Sequence, residues 1–182
     1  MPSAKSSRNP EDSPYKLCLM RHGISVSRGT TAFPADADRP LTPEGKQRMR
    51  EISRGLRRLG YQPDWIISSP LARARQTAAI VAELLGPGIP LDCSESLRPG
   101  GSLDSLLELL GGHSERRRAM VVGHETDLSD MAARLMGASR HARCGFKKGG
   151  CCLIRFERHP PQPPGELVWW LTPRILCELA RQ

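Results

Sequence analysis

The sequence predicts an α/β fold: a three-layer α/β/α sandwich around a mostly parallel sheet. Two observations carry that expectation. Short apolar runs alternate with helix-like segments along the chain, which is the pattern of a parallel sheet with helices on both faces. The 182 residues suffice for one compact domain with a sizeable core.

Residues 1–14 are polar and proline-containing. They read as a disordered arm, and without an apolar core segment they do not read as a secretory signal. The domain is expected over residues 15–182. Residues 15–20 form an apolar run and a first strand, followed by a polar loop over 25–40. Thr42-Pro43-Glu44 opens a helix: threonine caps, proline suits the first helical position and glutamate complements the dipole. Met49, Ile52, Leu56 and Leu59 share one face of it, Arg48, Arg50, Arg54, Arg57 and Arg58 lie elsewhere on the cylinder, and Gly60 stops it.

Residues 64–68 read as the second strand. Ser69-Pro70 looks like another cap and first-turn proline, for a helix that runs to Leu85 and ends at Gly86-Pro87. Residues 89–93 suggest a short third strand and 103–110 a leucine-rich helix. Residues 119–122 suggest a fourth strand, with a helix from about Asp127 to Met136 that Gly137 closes. Residues 151–156 and 166–171 look like two last strands, expected as an antiparallel hairpin at one edge. The proline-rich stretch 159–165 between them is a loop, since proline cannot feed a ladder. Thr172-Pro173 caps a final helix to Leu179.

Composition narrows the function. Hydrophobic residues make up 38% of the chain and no apolar run reaches membrane-spanning length, so no membrane partner is expected. The net charge of +8 favours anionic partners. The arginines are spread out, as in Arg54, Arg57, Arg58 and Arg116-Arg117-Arg118, and aromatics are only 4%. Base-stacking platforms are therefore not indicated, and no nucleic-acid partner is expected. The six cysteines contain no C-x-x-C pair, so neither a zinc ribbon nor a thioredoxin-like site is expected. Cys18 and Cys151-Cys152 read as packed strand residues, and without an export signal a reducing cytoplasm and free thiols are expected. Oligomeric state is not legible.

Three segments carry the chemistry: Arg21-His22-Gly23, Arg73 within Ser69-Pro70-Leu71-Ala72-Arg73-Ala74, and Gly123-His124-Glu125. Each lies where an apolar run ends, and ligands of open α/β sheets bind at strand carboxyl ends. Arginine's planar fork suits a phosphoryl group, and a neutral histidine beside it can act as a nucleophile toward phosphorus. Gly23 allows close backbone approach to a ligand. Arg73 sits near a helix start, where an anion is favoured. Arg75 competes for that role but lies about 200° away round the helix. His124-Glu125 could begin a zinc-protease motif, but Leu128 stands where the second histidine belongs, so no metal site is expected. Glu125 either orients a histidine, binds substrate, or is an exposed first-turn acid.

With these residues in place, the chain resembles the histidine phosphatase superfamily, also called phosphoglycerate mutase-like, from about residue 15 to 179. Within it the resemblance is to the SixA-type phosphohistidine phosphatases. That narrower likeness rests on Arg39-Pro40-Leu41-Thr42-Pro43-Glu44-Gly45, on Val122-Gly123-His124-Glu125 followed by Leu128-Ser129, and on the ending Leu167-Val168-Trp169-Trp170-Leu171-Thr172-Pro173. The resemblance implies that His22 attacks phosphorus and forms a covalent phosphohistidine, which water then hydrolyses. Arg21, Arg73 and His124 would hold the phosphoryl oxygens, with no metal or organic cofactor. Gly23, Ser25, Arg28 and Glu125 are candidate substrate-binding residues.

Two departures stand out. Many phosphomonoesterases of the superfamily have asparagine where this chain has Arg28. The usual proton-donating acid is also not evident: Glu95 is the first candidate, with Asp36, Asp38 and Asp104 behind it. An alkoxide leaving group wants a positioned acid. An imidazole, with a conjugate-acid pKa of roughly 6.5, leaves already protonated near neutrality. The expected substrate is therefore phosphohistidine on a protein. The alternatives are a small phosphorylated substrate, such as a sugar or nucleoside phosphate, and a non-catalytic phosphate-binding module.

Overall fold

The computed structural model describes residues 14–138 and 144–182. Except for Pro14, the arm expected over residues 1–14 lies outside them. Six strands form one sheet: β1 (Tyr15–Arg21), β2 (Trp65–Ser68), β3 (Leu91–Cys93), β4 (Arg118–Gly123), β5 (Cys151–Phe156) and β6 (Glu166–Leu171). Their order is β3-β2-β4-β1-β5-β6. The pairs β2–β3, β2–β4 and β1–β4 are parallel, and β5 pairs antiparallel with both β1 and β6. The sheet is thus mostly parallel, with the expected hairpin at one edge.

Five helices cover it: α1 (Pro43–Arg58), α2 (Ala72–Leu85), α3 (Leu103–Gly111), α4 (Asp127–Leu135) and α5 (Pro173–Leu179). The period-2 alternation of a strand splits β1 between two cores. Tyr15, Leu17 and Leu19 pack with Leu106 and Leu110 of α3 and with Met131 and Leu135 of α4. Cys18 and Met20 pack on the other face with Met49 and Ile52 of α1, Ala78 and Val81 of α2, and Leu176 of α5. The three layers follow from that division.

Several local expectations are met by recognisable contacts. The Thr42 hydroxyl accepts the Gly45 N–H at 2.9 Å and caps α1. A Cβ on Gly45 would stand 2.0 Å from the Ile24 carbonyl oxygen, so glycine here lets α1 start hard against the end of β1. Thr172 likewise caps α5, and Gly137 ends the turn after α4 at φ +70. Cys18, Cys151 and Cys152 are buried strand residues.

Two readings need correction. Leu59 is the C-cap of α1 and 42% exposed, so it does not continue the buried stripe of Met49, Ile52 and Leu56. Ser69-Pro70 does not cap α2, which starts at Ala72 with Leu71 at its N-cap and no side-chain cap bond. The Ser69 hydroxyl accepts the Leu71 N–H at 3.4 Å, just ahead of the helix, and shares a shorter hydrogen bond of 2.8 Å with His124.

Candidate active site

The central parallel pair β1–β4 aligns Arg21 with Gly123. One residue further on, the chain places His22 and His124 side by side, with ring centroids 5.1 Å apart. The His22 N–H donates to the Gly123 carbonyl at 3.1 Å and ties the two strand ends together. Arg73 enters from the first turn of α2. It is 2% exposed, whereas Arg75 is exposed on the same helix. The Arg73 Nε–H donates to His22 Nε2 at 3.3 Å. Arg21 donates to the Phe146 carbonyl at 2.6 Å.

The orientation of His22 is set by its own backbone. Nδ1 lies 2.7 Å from the Gly23 carbonyl, and a carbonyl can only accept. Nδ1 therefore carries the proton, and Nε2 keeps its lone pair toward Arg73. Burial lowers the His22 pKa to about 3; the Gly23 hydrogen bond opposes this, while His124, Arg73 and Arg21 add to it. His124 is lowered to about 4, chiefly by burial and then by Arg73. Both rings are neutral at pH 7. His124 Nε2 shares a hydrogen bond of 2.8 Å with the Ser69 hydroxyl, and its Nδ1 is buried without a partner among the described residues.

Gly23 serves a different neighbour from the one expected. A Cβ there would meet Met49 Cγ at 2.7 Å. Glycine admits α1 beneath the strand end, and the Gly23 N–H is held by the Thr77 hydroxyl of α2 at 3.0 Å.

An open cavity of about 360 Å³ lies over these residues, walled by Arg21, His22, Arg73, His124, Ser25, Arg28, Glu125, Arg39 and Lys148. Ser25 sits at the root of the loop 25–40, where an isolated bridge to Leu41 closes the loop. Asp36 organises the cations. Its Oδ1 accepts from Arg39 at 2.8 and 3.0 Å and from Arg28 at 2.9 Å, and its Oδ2 accepts from Arg73 at 2.9 Å. The Asp36 carbonyl takes a further Arg73 N–H at 2.7 Å. Desolvation raises the Asp36 pKa, but the hydrogen bonds from Arg39 and Arg73 outweigh it and bring the carboxyl down to about 2.

Glu125 is the one carboxyl residue on the cavity wall among the described residues. It is not an exposed first-turn acid. Its Oε1 accepts from the Ser129 hydroxyl at 2.5 Å and from the Phe146 N–H at 2.9 Å, while Oε2 is buried without a partner among the described residues. Glu125 thereby anchors the segment that receives Arg21. The other acid candidates do not reach the cavity. Glu95 is paired with Arg98 at 2.6 Å, its side chain 75% exposed. Asp104 is paired with Arg134, and Asp38 is exposed. No group of three or more His, Cys, Asp or Glu among the described residues is arranged to hold a metal ion. Leu128 is buried in the core below the site.

Sequence reasoning missed three members of the site. Arg39 was legible only as part of a motif, without a role. Asp36 was read as a proton donor and is a ligand of arginines. Lys148 carries no local signal; it reaches the cavity because the Gly149 N–H bonds to the Arg21 carbonyl.

Known proteins share this architecture. Residues 17–99 match the family model of the histidine phosphatase superfamily (branch 1). An uncharacterised protein of Picosynechococcus sp. is 36% identical over 143 residues, covering 77% of this chain and 84% of that protein. The probable phosphoglycerate mutase GpmB of Erwinia tasmaniensis is 30% identical over 132 residues, 68% of this chain but only 60% of that protein. Among solved structures, the protein histidine phosphatase SixA complexed with tungstate superposes with a TM-score of 0.75 at 20% identity, covering 87% of this chain and 97% of that one. A mycobacterial glucosyl-3-phosphoglycerate phosphatase complexed with VO3 gives 0.65 at 17%, covering 87% and 99%. The chain belongs to the histidine phosphatase superfamily, and the enzyme class that goes with that membership is a phosphatase, a hydrolase.

Proposed function

We propose that the protein hydrolyses phosphohistidine on a protein substrate, through a covalent phosphohistidine on His22. The observation that carries the mechanism is the locked tautomer: Nδ1–H on the Gly23 carbonyl and an unprotonated Nε2 facing Arg73. In the first step His22 Nε2 forms a bond to phosphorus as the bond from phosphorus to the leaving imidazole nitrogen breaks. That nitrogen keeps the bonding pair, and the ring leaves as a neutral imidazole if its other nitrogen already carries a proton. In the second step water attacks phosphorus, the bond to His22 Nε2 breaks, and inorganic phosphate departs. Arg21, Arg73 and His124 supply donors for the phosphoryl oxygens, where they stabilise charge in the transition state.

The substrate class rests on the acids. Asp36 is held ionised by arginines, Glu95 and Asp104 are paired outside the cavity, and Glu125 Oε1 is occupied by two donors. Imidazole leaves without a positioned acid; an alkoxide does not. The fold likeness to the SixA structure supports the same choice. The buried free thiols suit a reducing compartment, so we assign the protein to the cytoplasm; no described helix is long and apolar enough to cross a membrane.

One observation favours a second reading. Glu125 lines the cavity and its Oε2 has no hydrogen-bond partner among the described residues, so it is the carboxyl placed to face an ester leaving group of a sugar or nucleoside phosphate. The deciding experiment measures kcat/KM for a phosphohistidine-bearing protein and for several sugar phosphates, in wild type and in Glu125→Gln. The first reading predicts faster turnover of phosphohistidine and little change in the variant. A sugar phosphate that is turned over faster, and that loses about a hundredfold in Glu125→Gln, would establish the second reading instead.

A further inference from the structure

Phe33 is the odd aromatic of this chain. Of the eight aromatic residues, seven lie in or against the two hydrophobic cores. Phe33 belongs to neither. It sits half-buried in the loop 25–40, where its N–H bonds to the Thr30 carbonyl at 3.0 Å and the Thr30 hydroxyl bonds to the Ser27 carbonyl at 2.7 Å. A large apolar ring kept out of the core and fixed on a turn is free to contact a ligand.

Its surroundings show where such a ligand would sit. Phe33, Pro34 and Pro99 wall a second open cavity of about 510 Å³. This cavity shares Arg28, Arg39 and Pro99 with the cavity over His22. The two spaces adjoin at these three residues, with His22 on the wall of one and the phenyl ring on the wall of the other. Most polar groups along the second space already serve one another. Arg39 directs Nε and Nη2 to Asp36 and Nη1 to the Val26 carbonyl, and Arg28 directs Nε to the same carboxylate. What they leave for recognition is mainly a phenyl ring and two proline rings, beside the exposed Nη atoms of Arg28.

We propose that this space is the leaving-group subsite and that it takes a flat ring, an imidazole or an aryl group, attached to the phosphoryl group that His22 accepts. The proposal rests on His22 as the phosphoryl acceptor and sharpens the substrate class. A polyhydroxylated leaving group needs donors and acceptors around it, and apart from the outward Nη atoms of Arg28 these walls offer few. A planar ring gains stacking contact with Phe33 instead. The same chemistry serves phosphohistidine and a small aryl phosphate, and the test separates the two.

Binding is measured first, because it does not depend on turnover. Phenylphosphonate and methylphosphonate carry the same anion and differ in the ring. Calorimetry should show wild type binding phenylphosphonate about tenfold more tightly. Phe33→Ala and Pro99→Ala should bring that ratio toward one, and Phe33→Trp should restore it. Thermal denaturation of each variant identifies any that fails to fold. Turnover comes second. The ratio of kcat/KM for phosphoimidazole to that for phosphoramidate, which has no ring, should fall about tenfold in Phe33→Ala, and the ratio for phenyl phosphate should fall with it. Loss on the aryl ester alone would assign the subsite to aryl phosphates rather than to phosphohistidine. A wild type with no preference for the phenyl ligand, or a Phe33→Ala variant that keeps it, would overturn the subsite. If instead the binding preference holds and none of the three phosphoryl compounds is hydrolysed, the phosphatase reading fails while the subsite stands.

Discussion

The Nε–H of Arg73 points at Nε2 of His22 across 3.3 Å. The guanidinium thus marks the one nitrogen of the ring that the Gly23 carbonyl leaves unprotonated. Its other two nitrogens are held by Asp36. A phosphoryl group approaching Nε2 meets a cation whose plane is already fixed. Fixed donors of this kind need no reorganisation as charge develops.

Replacing Arg73 with lysine keeps the charge and removes the fork. The ammonium cannot bond both Asp36 and the ring edge in the same plane. Arg73→Lys is therefore expected to lower kcat by about 10²-fold, with the folded state retained. Steady-state kinetics with a phosphohistidine substrate checks it; a kcat within a few-fold of wild type would show that charge alone suffices.

Asp36 is expected to act through the arginines. Asp36→Asn removes the charge that offsets Arg28, Arg39 and Arg73. It should lower kcat/KM about tenfold, the order of one charge-assisted hydrogen bond. The shape of the pH–rate profile should not change, because a carboxyl with a pKa of about 2 gives no proton near neutrality. Loss of a limb of that profile in the variant would instead make Asp36 a proton donor.

Much of this site was legible in the sequence, because strand ends announce themselves. Arg21-His22-Gly23 and Gly123-His124 follow apolar runs, and Thr42-Pro43-Glu44 marks the start of α1. Arg73 was separable from Arg75 by helical angle alone. The contributions of the loop 25–40 were not legible. Asp36 and Arg39 meet Arg73 only because the loop folds back over α2, closed at its base by the Ser25–Leu41 bridge. The role of Ser69 was misread for a similar reason: its short hydrogen bond is to His124, 55 residues away and just past the end of β4. The packing need at Gly23, where a Cβ would meet Met49 on a helix, was not legible either.

The two histidines should give an acid-side signature. His22 falls from an ordinary 6.5 to about 3 in the fold, and His124 to about 4. Between those values and 6.5 the unfolded chain binds more protons at these positions than the folded chain does. Stability therefore rises with pH through that window and is lost as pH falls through it. In NMR titrations neither ring should protonate between pH 8 and pH 5. Denaturant midpoints should drop on acidification, and less steeply in His22→Gln than in wild type. A His22 titration near 6.5 would mean that the ring is not held neutral by burial.

The central claim is that His22 carries the phosphoryl group between substrate and water. Mixing the enzyme with a radiolabelled phosphoryl donor, quenching within milliseconds under alkaline denaturing conditions and mapping the labelled peptide tests it most directly. The account predicts acid-labile, base-stable label on His22 in wild type, with neither label nor turnover in a folded His22→Ala protein. Label on a different residue, or turnover by His22→Ala at the wild-type rate, would contradict it.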